Sequence, residues 1–278
     1  MPGLVLEGGT FRPIFSCGVM DALLDEGIMF PYCIGVSAGI SDGVSYISRQ
    51  RGRNIEIAMK YRNDKRYIGV SNLRKYKSIF GLDFVFGEIP ESLVPFDWDA
   101  YHSYQGRVVV GVTNIETGQA EYMDGLKADR KFMMLRATCA MPLVFPPIEI
   151  DGRYYYDGGV SDPIPVRKAV EDGNSRNLII LTRPEGYRKE LGRSTALTAK
   201  HFARKYPRLG EVLLSRHIRY NETVAYCEQL EKEGKAVLIR PEGNIDSFEK
   251  DTNQLKKYYD QGYKLMQEKK EAILSLFE

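Results

Sequence analysis

Two stretches of the 278-residue chain hold residue types at a spacing that suits chemistry. Gly35-Val36-Ser37-Ala38-Gly39 has the G-x-S-x-G pattern, with an apolar run, YCIGV, before it and a helical segment after it. A serine there stands on a sharp strand-to-helix turn, with glycines where side chains would clash, and its hydroxyl is presented as a nucleophile. The plain alternative is a strand-helix turn built from small residues. Earlier, LEGGTFRPIFSCGVMDALL (residues 6–24) runs from a short apolar strand through glycines into an amphipathic helix opening near Pro13. That arrangement points backbone N–H groups and a helix dipole at something negative, either a bound phosphate or a charge that arises in a reaction. Neither G-x-x-x-x-G-K-[ST] nor G-x-G-x-x-G with a later acid is present, which disfavours a nucleotide-binding module.

The elements that must position these residues alternate. GLVLE and YCIGV read as strands, Ser16–Glu26 and Ala38–Gln50 as helices, and NIEIAMKYRND as a third helix. Residues 67–104 are aromatic and punctuated by Pro and Gly, a long cap with short helices. RVVVGVTNIETGQAEYM reads as a hairpin turning at Glu116-Thr117-Gly118, and PIEIDGRYYYDGG as a tighter one turning at Asp151-Gly152. Between them, residues 126–141 read as a helix stopped by Pro142. NLIIL and KAVLI are buried-type strands, separated by a basic helical segment, and a last amphipathic helix starts near Asp251. The expected fold is α/β, a three-layer α/β/α sandwich on a mostly parallel central sheet.

Composition narrows the function. With 39 basic and 37 acidic residues the net charge is +2, which gives no reason to expect a nucleic acid partner. Positive charge concentrates in residues 183–219, which hold ten Lys or Arg against three Asp or Glu. Such a run is a solvated helix face or a contact for an anionic membrane surface. Cys17, Cys33, Cys139 and Cys227 show no paired spacing, nothing has metal-ligand spacing, and neither a metal nor a cofactor is expected. No apolar run approaches the roughly 18 residues of a membrane span and no leader-like stretch opens the chain, so the expected location is cytoplasmic, with membrane contact at most peripheral.

A third short motif completes the set. Asp157-Gly158-Gly159 follows RYYY at a strand end, where an Asp-Gly pair by itself is an ordinary turn. Together the three motifs resemble those of the patatin-like phospholipases, with Gly8-Gly9-Thr10-Phe11-Arg12-Pro13 in place of that family's glycine-rich G-G-G-x-R/K-G loop, then the early elbow, then D-G-G/A. The resemblance covers about residues 3–182, with 183–278 as a C-terminal extension of basic helices, one further strand and a closing helix in a single domain.

The family implies a serine acyl-ester hydrolase acting on phospholipids, lysophospholipids or acylglycerols through a Ser–Asp dyad without histidine. Carried over, Ser37 is the nucleophile and Asp157 its proton acceptor. Gly8, Gly9, Thr10 and Ala38 form the oxyanion hole, and Arg12, Gly35, Gly39, Gly158 and Gly159 support it. Thr10 and Pro13 depart from the family glycines: Thr10 keeps its N–H but must reach a conformation that glycine takes easily, and Pro13 lacks an N–H that a first helical position does not need. Those departures are the support for a rival reading, a lipid-binding protein without turnover. A third reading is a His-dependent esterase, since His201 and His217 follow Ser37 and Asp157 in α/β-hydrolase order. Both read as surface helix residues, however, and His102 lies in the aromatic cap. Asp162 reads as a cap for the turn after it. In residues 80–104, Phe80, Phe84, Phe86, Phe96 and Trp98 are core or the lining of an acyl pocket. The oligomeric state is not legible.

Overall fold

The computed structural model describes residues 1–278. Strand β1 (Pro2–Leu6) leads to helix α1 (Ile14–Asp25), β2 (Tyr32–Val36) and α2 (Ser37–Ile47), followed by α3 (Arg53–Tyr61). The cap holds α4 (Asn72–Tyr76), a π-helical turn at Phe84–Leu93 and α5 (Trp98–His102). Then come β3 (Arg107–Asn114), β4 (Ala120–Asp124), α6 (Met133–Thr138), β5 (Ile148–Ile150), β6 (Arg153–Asp157) and α7 (Val166–Glu171). The rest is β7 (Arg176–Ile180), α8 (Arg193–Ala203), α9 (Pro207–Lys232), β8 (Ala236–Ile239), α10 (Thr252–Glu268) and α11 (Lys270–Leu274).

The eight strands form one sheet in the order β5-β6-β3-β2-β1-β7-β8, with β4 also on β3. The central pairs are parallel and those made by β4, β5 and β6 antiparallel. Alternation divides the strand side chains between two cores. Leu4, Leu6, Leu178 and Ile180 face one core, with α1 and α2. Val5 and Ile179 face the other, with α7 and the second half of α9. Sheet and two helical layers make the α/β/α sandwich.

The 126–141 helix is a correction: only α6 is α-helical, preceded by a 3-10 turn at Gly125–Lys127 and irregular chain. Phe132 is left-handed (φ +52°), and Asp129 Oδ1 caps the Met133 N–H at 3.1 Å. The helix ends before Pro142, and the Ala140 carbonyl just past its end accepts the Asp157 N–H at 2.8 Å. The Asp151-Gly152 turn has both residues left-handed (φ +50° and +75°), the geometry that matches strand twist in a two-residue hairpin.

The extension is built into the sandwich. β8 pairs in parallel with β7, and α10 lies against α1 at two reciprocal glycines. A Cβ on Gly18 would stand 1.9 Å from the Tyr259 carbonyl oxygen, and one on Gly262 2.1 Å from that of Phe15. Both atoms are backbone, so a side chain there would push two helices apart. Gly262→Ala is expected to destabilise the protein by about 1–3 kcal/mol, and thermal unfolding will show it as a lowered midpoint. An unchanged midpoint would mean that the two helices do not pack this closely.

Candidate active site

The site follows from strand register. On β3, Gly111 pairs with Val36 of β2, and the next residue, Val112, pairs with Asp157 of β6. Neighbouring positions of one strand thus bring the end of β2 and the end of β6 together. Ser37, the residue after Val36, donates its Oγ–H to Asp157 Oδ2 at 2.7 Å, and both residues are buried.

The elbow is strained and tightly enclosed. Ser37 has φ +54°, a left-handed conformation that disfavours a side chain, and its N–H donates to Thr138 Oγ1 at 2.8 Å. Thr138 in turn donates to the Gly111 carbonyl. The motif glycines are required by β1 passing alongside. A Cβ on Gly39 would stand 2.5 Å from the Glu7 carbonyl oxygen, and one on Gly35 2.9 Å from Leu6 Cβ. Gly158 has the same constraint, with 2.2 Å to the Gly111 oxygen.

Asp157 is held from three directions. Its Oδ1 accepts the Gly159 N–H at 2.7 Å, its carbonyl accepts Thr113 Oγ1–H at 2.8 Å, and its N–H goes to Ala140. Burial pushes its carboxyl above the ordinary aspartate range, opposed by the Ser37 and Gly159 hydrogen bonds and by the charge of Arg216. A more basic carboxylate is a better acceptor for the serine proton.

The glycine loop between β1 and α1 lies over the elbow, with a Gly8 Cβ only 2.7 Å from Ser37 Cβ. Gly9 (φ +155°) and Thr10 (φ +59°) both take positive φ, so Thr10 holds the left-handed conformation that a glycine reaches easily. The N–H groups of Gly8, Gly9, Thr10 and Ala38 make no hydrogen bond within the protein. Pro13 (φ −61°) stands one residue before α1, where its missing N–H costs nothing. Arg12 ties the loop down. Its Nε donates to Thr182 Oγ1 at 3.1 Å, and its other nitrogens reach Ser247 Oγ and the Gly8 carbonyl.

Two cavities meet at Ser37. One, of about 160 Å³, is largely apolar and is lined by Phe11, Phe80, Phe86, Phe132 and Phe145 among others. Of the cap aromatics, Phe80 and Phe86 line it, whereas Phe84, Phe96 and Trp98 pack elsewhere. Phe132 and Phe145 come from outside the segment that sequence singled out. The second cavity, of about 590 Å³, is polar and includes Gly8, Gly9, Asp157 and four basic side chains. The basic run is therefore not wholly a solvated face, since Arg183, Lys189 and Arg216 line this cavity.

No histidine lines either cavity. His102 stacks on Trp98 at 5.6 Å and is exposed, as is His201. His217 is half-buried on α9, with Nδ1 enclosed and unpartnered, which corrects its reading as a surface residue. Asp162 accepts the Tyr122 hydroxyl at 2.7 Å as well as serving the turn after it. Sequence reasoning missed Thr113, Thr138, Thr182 and Arg216, which stand in no motif and act through contacts distant in sequence.

A profile for patatin-like phospholipases matches residues 4–170. The chain belongs to this family. A second profile, for a domain of unknown function, matches residues 206–278. Among curated relatives, the uncharacterized protein YjjU of Escherichia coli is 26% identical over 195 residues, 65% of this chain and 52% of that protein. Lysophospholipase NTE1 of Yarrowia lipolytica is 27% identical over 62% of this chain and 12% of its own length. The chain therefore spans about half of the first relative and a small part of the second. The crystal structure of VipD from Legionella pneumophila aligns with a TM-score of 0.44 and 15% identity, covering 96% of this chain and 67% of that one. As a patatin-like phospholipase, the protein comes from a family of lipid acyl-ester hydrolases. No helix is long and apolar enough to cross a membrane.

The apolar cavity contains one misfit. Asp42, one helical turn beyond the elbow, lines it beside Arg53, and burial raises its carboxyl to about 7 against the attraction of Arg53. A carboxyl raised on folding adds stability only while protonated. That stability is complete below about pH 4 and is lost as pH rises to about 7. Asp42→Asn should therefore unfold at a higher temperature than the parent at pH 8, by on the order of 1 kcal/mol, with the gap closing toward pH 4. Parallel melting curves at pH 4 and pH 8 check this; a gap that does not change with pH counts against it.

Proposed function

We propose that the protein hydrolyses lipid acyl esters through a Ser37–Asp157 dyad. The observation that carries this reading is the 2.7 Å bond from the strained elbow serine to a buried aspartate, in a site that no histidine lines. Ser37 Oγ attacks the ester carbonyl while its proton passes to Asp157 Oδ2. The negative charge on the tetrahedral oxygen is held by N–H groups from among Gly8, Gly9, Thr10 and Ala38, each such donor lowering the barrier by about 3–4 kcal/mol. Asp157 then returns the proton to the leaving alcohol, leaving an acyl-serine. Water attacks this, with Asp157 again as base, and the fatty acid departs. The acyl chain occupies the aromatic cavity and the alcohol portion the polar one. The left-handed Thr10 and the position of Pro13 before α1 weigh against the rival reading without turnover, because both departures leave the loop conformation and its N–H donors in place.

Ser37→Ala should abolish hydrolysis of p-nitrophenyl esters and labelling by a fluorophosphonate while keeping the fold. Turnover at the parental rate would remove the assignment. Asp157→Asn keeps the shape but cannot take the proton, and kcat/KM should fall at least about 10²-fold. The acid limb of the parental pH–rate profile should lie above the ordinary aspartate value of about 4, because burial outweighs the stabilising contacts, with no limb that any His→Gln change removes. A profile that loses its limb when His217 becomes Gln would replace the dyad with a triad.

A further inference from the structure

The polar cavity holds more positive charge than its two carboxylates balance. Arg12, Arg183, Lys189 and Arg216 all line it. None of the four forms an ion pair. Arg12 is bound to hydroxyls and a carbonyl, and Arg183 reaches Asn244 Oδ1 at 3.4 Å. Arg216 donates Nε–H to the Gly159 carbonyl, and its terminal nitrogens have no partner. Lys189 Nζ has only the face of Tyr220, 5.4 Å from the ring centre. The two carboxylates in the wall are already engaged: Glu7 accepts the Thr182 N–H at 2.6 Å and the Tyr220 hydroxyl at 3.2 Å, and Asp157 serves Ser37 and Gly159.

The cations are also fixed in place. The segment carrying Lys189 is clasped to α9 by Asn221, which accepts the Lys189 N–H at 2.7 Å and donates to its carbonyl at 2.9 Å. Lys189 is pushed down to about 8 by burial and by the charges of Arg216, Arg12 and Arg183. Four like charges facing two carboxylates still repel one another, with only Glu7 drawing Arg12 and Lys189 the other way, and an anion entering among them relieves that repulsion. The hydroxyls of Ser194 and Thr195, at the start of α8, stand in the same wall. Guanidinium forks and a lysine ammonium with hydroxyls suit a tetrahedral phosphate.

We propose that this cavity is a phosphate site for the head group of the ester substrate, with Arg183, Lys189 and Arg216 as its ligands. This rests on the acyl-hydrolase reading above and narrows it to acyl esters bearing an anionic phosphate, such as a monoacylglycerol phosphate, over uncharged acylglycerols. Because four cations face two engaged carboxylates, a phosphate monoester or anionic diester fits, while a head group ending in a quaternary ammonium brings a fifth cation. Arg216 and Tyr220 lie in the 206–278 segment, so that segment of unknown function supplies part of the head-group wall.

The test has a binding arm and a turnover arm. In Ser37→Ala, which should not turn over substrate, sn-glycerol 3-phosphate binding is measured by calorimetry, with inorganic phosphate in parallel. Glycerol 3-phosphate should bind, and Arg183→Gln/Lys189→Gln in the same background should weaken it at least tenfold. Arg183→Gln alone should give part of that loss if the double variant folds poorly. With Ser37 intact, kcat/KM for lysophosphatidic acid relative to the monoacylglycerol of the same chain should fall at least tenfold in the double variant. An unchanged ratio, or no binding of either phosphate compound, overturns the proposal. Inorganic phosphate binding that does not compete with hydrolysis of a neutral ester overturns the head-group assignment in favour of free phosphate. Phosphate binding that depends on Lys189, in a wild-type protein that hydrolyses no ester, sinks the acyl-hydrolase reading and leaves an anion site. Ser37-dependent ester hydrolysis that is indifferent to phosphate sinks only the inference.

Discussion

The site depends on the register of β3 against its two neighbours. A shift of one residue would turn Asp157 to the other face of the sheet, since side chains alternate along a strand. With Val36 opposite Gly111 and Asp157 opposite Val112, serine and carboxylate meet without any long side chain to span a gap. That closeness lets the two side chains hydrogen-bond directly. An imidazole placed between them would need room that Gly8, Gly35, Gly39 and Gly158 deny, each already against a neighbouring backbone or side chain. Thr113 and Thr138 then lock the two ends by hydrogen bonds to Asp157 and Ser37.

The residues legible in the sequence are those whose signal is local. Gly35, Ser37 and Gly39 are recognisable because a tight strand-to-helix turn leaves no room for side chains, a requirement met within five residues. The two hairpin turns were legible for the same reason, each having a glycine where φ is positive. Alternating strands and helices gave away the layered fold, because apolar periodicity reports which faces are buried. The 126–141 stretch misled because its apolar pattern is helical, while the left-handed residue that breaks it before Met133 is Phe132, with no glycine to mark it. Thr182 and Arg216 were illegible on the same grounds: a threonine after a strand and an arginine in a basic helix look like many others until the fold brings them to Arg12 and Gly159.

Charge links the two ends of the site. Arg216 donates to the carbonyl of Gly159, whose N–H holds Asp157, and its positive charge also favours the ionised aspartate. Burial acts in the opposite direction. The basicity of Asp157 is thus a balance between a dry position and a cation on α9, so an anion near Arg216 would raise that basicity further.

The anchoring of Arg12 has a consequence for how the protein comes into being. Every motif from Gly8 to Gly159 leaves a ribosome well before Ser247, yet Ser247 accepts from the Arg12 guanidinium and its carbonyl takes the Phe11 N–H. Likewise α1, which continues the glycine loop, finds its close-packed partner only in α10. During vectorial synthesis the sheet can assemble while the loop over Ser37 stays without its fastening, so a nascent chain carries Ser37 but not the settled loop above it. The loop therefore gains its last fastenings only when the residues around 247–268 close over the first helix.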